Sequence, residues 1–248
     1  MRPDWIAPVG AWCSTRIGGS SLGAYASLNL GRAVGDDPET VADNRRRFAA
    51  ALGGARPLWL QQVHGATVVR ADALPADAPA PQADAAWTDQ TGLACVVQVA
   101  DCLPVLLASA DGRAVAAAHA GWRGLAAGVL EATVLALCEG SGSDPSGLRA
   151  WLGPCIGAEA FEVGADVHDA FADLLARDPA LLRYAPRPDG DPRWRADLAG
   201  LARARLAQLG LRQIGGGHWC TVSDPSRFFS YRRDGVTGRF AAAVWRRG

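Results

Sequence analysis

Leu93 to Ser109 reads LACVVQVADCLPVLLAS, two runs of Val and Leu on either side of Ala100-Asp101-Cys102. Neither run carries helix start or stop signals, so the stretch predicts two strands with a break near Asp101. Pro57 to Arg70 (PLWLQQVHGATVVR) reads the same way, with a break near Gly65. Ala114 to Ala118 predicts another buried strand, running into His119-Ala120-Gly121-Trp122-Arg123-Gly124, and Leu125 to Cys138 then reads as a helix. Further out, Asp36-Asp37-Pro38-Glu39 supplies an N-cap, a proline suited to the first helical position and early acidic charge. That helix runs to about Leu52, before Gly53-Gly54, with Val41, Phe48 and Leu52 on its apolar face. Asn44 and Arg45 follow Val41 by three and four places, so they lie on or beside the buried face and need partners. Helices are also expected at Ala165 to Arg177 and Ala196 to Leu209, strands over Phe228 to Trp245, and a surface loop over the Ala/Pro-rich Ala71 to Ala83. The fold class is α/β or α+β, a choice that depends on strand pairing.

The chain has 248 residues, 49% hydrophobic and 20% charged, enough to bury a substantial core. Basic and acidic residues both number 25, so nothing in the charge balance points to nucleic acid. Every basic residue is Arg, and the absence of Lys excludes a Schiff-base lysine and a P-loop lysine. No stretch reads as a leader or a membrane span. The six cysteines are scattered without a C-x-x-C, as expected of reduced thiols in the cytoplasm.

Gly19-Ser20-Ser21-Leu22-Gly23 matches the G-x-S-x-G string of a nucleophile elbow, but no helix signal follows it, and a glycine-rich turn is the better reading. The nucleobase-deaminase zinc pattern is absent: no His is followed two places on by Glu, and Ala158 stands where the second Cys after Pro154-Cys155 would be. H-E-x-x-H is absent too. What remains is His64, Cys102 and His119, each at a strand end beside a break. A thiolate with two imidazoles suits Zn²⁺ and leaves a fourth position open. The same trio could serve as a cysteine nucleophile with a histidine base, or Cys102 could be a buried apolar residue and the histidines partners of backbone groups. Arg123, at a helix start, opposes the macrodipole unless an anion sits there, with Gly121 and Gly124 allowing close backbone approach; the alternative is an Arg pointing into solvent. His168 and His218 lack companion ligands and read as structural or surface residues.

These residues resemble the YfiH family, also called the laccase-domain or multicopper polyphenol oxidoreductase family. The match runs in order through TRIGGSSLGAYASLNLG from Thr15, GDDPETVADNRRR from Gly35, LQQVHG from Leu60, ADCLPVLL from Ala100, AAHAGWRG from Ala117, WLGPCIG from Trp151, FEVG from Phe161 and FFSYRRDGVTGR from Phe228. The resemblance implies a single-domain α/β (mixed α+β) fold of the cytotoxic-necrotizing-factor and YfiH-like type over residues 1–248. It also implies one metal site on His64, Cys102 and His119, with Zn²⁺ as the cofactor and copper as the alternative.

The activity it implies is phosphorolysis of adenosine, inosine, guanosine and methylthioadenosine, with adenosine deamination. The implied partners are a purine nucleoside and phosphate, with no nucleic acid or membrane, acting as a monomer or homodimer in the cytoplasm. The copper phenol oxidase reading fits poorly, because four histidines cannot furnish a blue-copper centre and a trinuclear cluster. Two further alternatives are an amidase that removes serine from a nucleotide-linked muramyl precursor and a non-enzymatic metal- or nucleotide-binding module. For catalysis, His64, Cys102 and His119 are joined by Asp101, the carboxylate next to Cys102, for proton transfer or for orienting a histidine. Arg45, Arg123, Arg232 and Arg239 are the anion candidates.

Overall fold

Every residue of Leu103–Ser109 is buried, which a strand achieves only when its sheet is covered on both faces. The structure, a computed structural model, describes all residues except Asp4, Ile6, Ala7, Ala76 and Asp77. Its strands are β1 (Val9–Cys13), β2 (Arg56–Leu58), β3 (Val68–Arg70), β4 (Ala85–Thr88), β5 (Leu93–Val99), β6 (Leu103–Ser109), β7 (Val115–Ala120), β8 (Leu148–Leu152), β9 (Glu162–Val163), β10 (Leu182–Tyr184), β11 (Trp194–Ala196), β12 (Gln213–Gly216) and β13 (Phe240–Arg246). The α-helices are α1 (Pro38–Ala50), α2 (Trp122–Ala126), α3 (Val129–Ser141), α4 (Ala165–Ala170), α5 (Ala172–Leu175), α6 (Leu198–Gln208) and α7 (Tyr231–Asp234).

Two mixed sheets carry the fold, a four-stranded one ordered β1-β13-β5-β2 and a six-stranded one ordered β12-β8-β6-β7-β4-β3. Their inner pairings are antiparallel, while β2, β3 and β12 add parallel edges. Alternation along each strand builds four layers. Cys95, Val97 and Val99 of β5, Leu106 and Ala108 of β6, and Phe240, Ala242 and Val244 of β13 form the core between the sheets. Leu103, Val105 and Leu107 face the other way, onto Leu130, Val134 and Leu137 of α3 and Leu201 and Leu206 of α6. On the outer face of the four-stranded sheet, Ala94, Val96, Ala241 and Ala243 pack on Phe48 and Leu52.

The predicted break at Asp101 is the β5–β6 turn, and the predicted α1 forms with Asp37 as its cap, the Asp37 carboxylate accepting from Thr40 N at 2.8 Å. Asn44 finds the partners its position demands. Its Nδ2 donates to Ser21 Oγ and to the carbonyls of Ser27 and Asn29, while its Oδ1 accepts from Ser20 N. The G-x-S-x-G segment is thus a turn docked on α1, with Ser21 Oγ also donating to Asp36 at 2.6 Å.

Several expected elements differ. The helix expected over Leu125 to Cys138 is two helices, because Gly128 at φ 89° ends α2 and begins α3. Phe171 similarly divides Ala165 to Arg177 into α4 and α5. In Phe228 to Trp245 only the second half is a strand, since Ser230 caps α7 through Arg233 N. Pro57 to Arg70 keeps only the ends β2 and β3 as strands, and the span between them is the His64 loop. Within the loop expected over Ala71 to Ala83, Ala71–Ala73 form one 3-10 turn, and Ala76 and Asp77 lie outside the described residues. Among the described residues no helix is long and apolar enough to cross a membrane.

Candidate metal centre

Register brings the trio together. β6 and β7 are antiparallel with Pro104 opposite His119, so Cys102, two residues before Pro104, emerges at the same sheet end as His119. β4 pairs with β7 through Ala85 and Ala118, which sets Asp84 beside His119, and His119 N donates to Asp84 O at 2.7 Å. The loop between β2 and β3 delivers His64 to this end. The ligand atoms of His64, Cys102 and His119 all lie within 4.8 Å of one another. Cys102 Sγ is 3.8 Å from His64 Nε2, against about 3.6 Å for sulfur and nitrogen ligands of one tetrahedral zinc. The two imidazoles meet edge to face, their centroids 4.8 Å apart.

Asp84, a residue not singled out from the sequence, holds this arrangement. It is fully buried. One carboxylate oxygen accepts from His64 N at 2.9 Å and contacts His119 Nδ1 at 2.8 Å. The other accepts from Val63 N at 3.2 Å and Gly65 N at 2.7 Å. One side chain therefore pins the loop bearing one histidine and engages Nδ1 of the other, leaving His119 Nε2 for a metal. Burial alone would push the Asp84 carboxyl up, but the His119 hydrogen bond, the Gly65 and Val63 N–H groups and the His119 charge together hold it below the usual range.

Asp101 behaves differently from expectation. Its carboxylate accepts from Thr221 Oγ1 at 2.5 Å and Arg232 N at 2.6 Å. Orientation of a histidine falls instead to Asp84, because Asp101 is turned toward the segments after β12. Among the described residues His64 (φ 61°) and Asp101 (φ 93°) are the two non-glycine residues with positive φ. Such conformations cost about 1–3 kcal/mol and persist where surrounding contacts enforce them; here the buried carboxylate and the Thr221 and Arg232 bonds do so. Gly121 completes the cradle, since a Cβ there would lie 2.9 Å from Cys102 Sγ and 3.1 Å from His64 Cδ2.

The electrostatics match a thiolate site. Burial pushes the Cys102 thiol up, yet the charges and hydrogen bonds of His119 and His64 bring it down to about 6. Burial likewise lowers His119, but Cys102 and Asp84 raise it to about 9. By contrast, burial pushes the Cys13 thiol up to about 12. Two imidazoles and a low thiol form a borderline-soft donor set that fits Zn²⁺. Among the described residues this is the one group of three His, Cys, Asp or Glu side chains so placed. His168 stacks on Trp194 and His218 on Trp219, both apart from the trio.

The four arginines divide. Arg45 is committed to the protein: Nε donates to Leu30 O, Nη2 to Gln98 Oε1, and the guanidinium lies 4.0 Å from the Trp59 ring centroid. Burial, with help from the Arg32 charge, pushes it down to about 10. Arg123 is exposed and lies over Trp122 at 4.4 Å. Arg239 is half-buried; burial pushes its guanidinium down, while the charges of Cys102 and Asp101 act in the opposite direction. Its Nη1 is anchored on the Thr237 and Gly238 carbonyls. Arg232 ties Asp101 through its backbone and Glu162 O through Nη1 at 3.0 Å.

A family model described as multi-copper polyphenol oxidoreductase laccase matches residues 10–247. The chain is 50% identical to purine nucleoside phosphorylase PA4543 of Pseudomonas aeruginosa, over 99% of this chain and 97% of the relative. It is 48% identical to purine nucleoside phosphorylase YfiH of Escherichia coli, over 98% and 97%. The crystal structure of Neisseria meningitidis protein NMB0706 superposes with a TM-score of 0.92 at 45% identity, covering 100% of this chain and 99% of that one. YlmD from Geobacillus stearothermophilus does so with a TM-score of 0.87 at 33% identity, covering 98% and 93%.

Proposed function

The chain belongs to the multi-copper polyphenol oxidoreductase laccase family that includes YfiH, and on that footing we propose that it is a zinc-dependent purine nucleoside phosphorylase. Its substrates in this reading are adenosine, inosine, guanosine and methylthioadenosine, with adenosine deamination as a second activity. The observation that carries the reading is the convergence of His64, Cys102 and His119 within 4.8 Å in a chain whose near relatives bear the phosphorylase name.

His64, Cys102 and His119 would hold the zinc, which supplies Lewis-acid catalysis when bound. Asp84 keeps His119 in one orientation and tautomer and fixes the His64 loop, so the donor set is organised before any metal arrives. Asp101 holds the β5–β6 turn that presents Cys102. Arg239 offers cationic charge to an oxyanion; its Nε and Nη2 have no protein acceptor among the described residues. Localisation in the cytoplasm belongs to the same proposal.

A second reading has its own observation. Cys102 Sγ lies within 4.8 Å of a His119 ring nitrogen, and His119 Nδ1 is 2.8 Å from Asp84, which supplies a thiol, an imidazole and a carboxylate for the roles of nucleophile, base and orienting acid. That set suits hydrolysis of an amide in a serine-bearing muramyl precursor.

The test is adenosine turnover with and without phosphate, in wild type and Cys102→Ala, alongside metal content. The phosphorylase reading expects about one zinc per chain, phosphate-dependent adenine release and phosphate-independent inosine formation, all lost in the variant. Untouched adenosine with zinc still bound contradicts it. Free serine released from the muramyl precursor would then favour the second reading.

A further inference from the structure

A groove of about 650 Å³ is lined in part by Glu162, Asp166, Arg187, Arg193 and Arg232. Arg232 joins this groove to the turn that carries Cys102. Its backbone N donates to the Asp101 carboxylate one residue before Cys102, and its Nη1 donates to Glu162 O, with the guanidinium over the Phe161 ring. The arginine is thus held at both ends. Among the described residues no carboxylate lies within ion-pair distance of it.

The other two cations of the groove, Arg187 and Arg193, are held by acids of the groove and its rim. Glu162 meets Arg187 at 2.7 Å, Arg195 at 3.6 Å and Arg193 at 3.8 Å. Asp191 meets Arg193 at 2.6 Å and Arg187 at 3.7 Å. In the groove's own lining two carboxylates, of Glu162 and Asp166, stand beside the three guanidinium groups of Arg187, Arg193 and Arg232. The pairings hold Arg187 and Arg193 in place, which lowers the entropy lost when they grip a ligand. Arg232 Nε and Nη2 have no protein acceptor among the described residues, and planar guanidinium groups lining an open groove suit the oxygens of a phosphoryl group.

We propose that this groove is a phosphoryl-binding subsite, filled either by free phosphate or by the phosphate ester of a nucleotide whose nucleoside part reaches the trio. The choice of nucleoside probe rests on the phosphorylase reading; the groove itself does not.

The experiment is calorimetric titration of the zinc-loaded protein with inorganic phosphate, adenosine and adenosine 5′-monophosphate. It uses wild type, Arg187→Gln/Arg193→Gln and, separately, Arg232→Gln, with zinc content as the check that each variant folds. The expected result is about tenfold weaker binding of a phosphoryl probe in the variants, with adenosine affinity unchanged. Loss confined to inorganic phosphate identifies the free ion, and loss confined to the monophosphate identifies the ester. Failure of both probes to bind wild type, or equal binding to wild type and variants, overturns the proposal. If adenosine alone fails to bind while a phosphoryl probe responds to the substitutions, the phosphorylase reading falls and the subsite stands.

Discussion

Asp84 and Asp101 are two buried carboxylates at the same end of the sheets, and they serve different parts of the molecule. Asp84 collects three backbone N–H groups from the His64 loop and contacts the His119 ring. Asp101 collects Thr221 and Arg232, and so fastens the β5–β6 turn to the segments after β12. The first organises the donors directly; the second shapes the backbone that carries one of them. Nearness in sequence to a ligand is therefore a poor guide to which acid supports it. Asp84 is 18 residues from Cys102 along the chain, yet it engages both histidines.

The largest expected effect separates these roles. Asp84→Asn should weaken zinc binding by about 10- to 100-fold, because its amide NH₂ would face backbone donors and cannot replace both carboxylate oxygens. Competition with a chromophoric chelator measures this, and an affinity equal to wild type would show that Asp84 does not organise the donors. Gly121→Ala comes next: the added methyl would press on Cys102 Sγ and His64. About tenfold weaker zinc binding, read by the same competition, should accompany an intact far-ultraviolet spectrum. Asp101→Asn should leave zinc affinity within about threefold while lowering unfolding free energy by about 1–2 kcal/mol, measured by urea titration. A loss of zinc as large as that of Asp84→Asn would erase the distinction.

The smallest effect is in acid stability. The Asp84 carboxyl is held below its usual range, so the native state binds fewer protons there than the unfolded chain does. Its contribution to stability is present above the unfolded carboxyl range and is lost as pH falls through the lower native value. The urea midpoint of the metal-free protein should accordingly fall less steeply with acid in Asp84→Asn than in wild type. Equal slopes would show that Asp84 is not the group being protonated.

Much of the fold was readable in the apolar runs. LACVVQV and LPVLL are strands covered on both faces, and the Asp37 cap with Pro38 marks the start of α1. Short elements escaped the reading. β1, β4 and β8 have four or five residues each, and their pairing is set by neighbours distant in sequence. Gly128 looked like a residue of a helix interior, yet its positive φ divides one expected helix into two. At the site, His64, Cys102 and His119 stood out because ligand-type residues sat at strand breaks. Asp84 did not, since a lone acid just past the Ala/Pro-rich stretch carries no motif. Arg45 seemed free to meet an anion because no local spacing reveals Leu30, Gln98 and Trp59 around it.

Asp84 holds the His64 loop and the His119 ring, and with them the arrangement of His64, Cys102 and His119. X-ray absorption at the zinc edge of the purified protein tests it most directly, with Asp84→Asn alongside. Wild type should show one sulfur at about 2.3 Å and two histidine nitrogens at about 2.0–2.1 Å, with histidine scattering diminished or zinc lost in the variant. A zinc shell without sulfur, or a spectrum unchanged by Asp84→Asn, would contradict it.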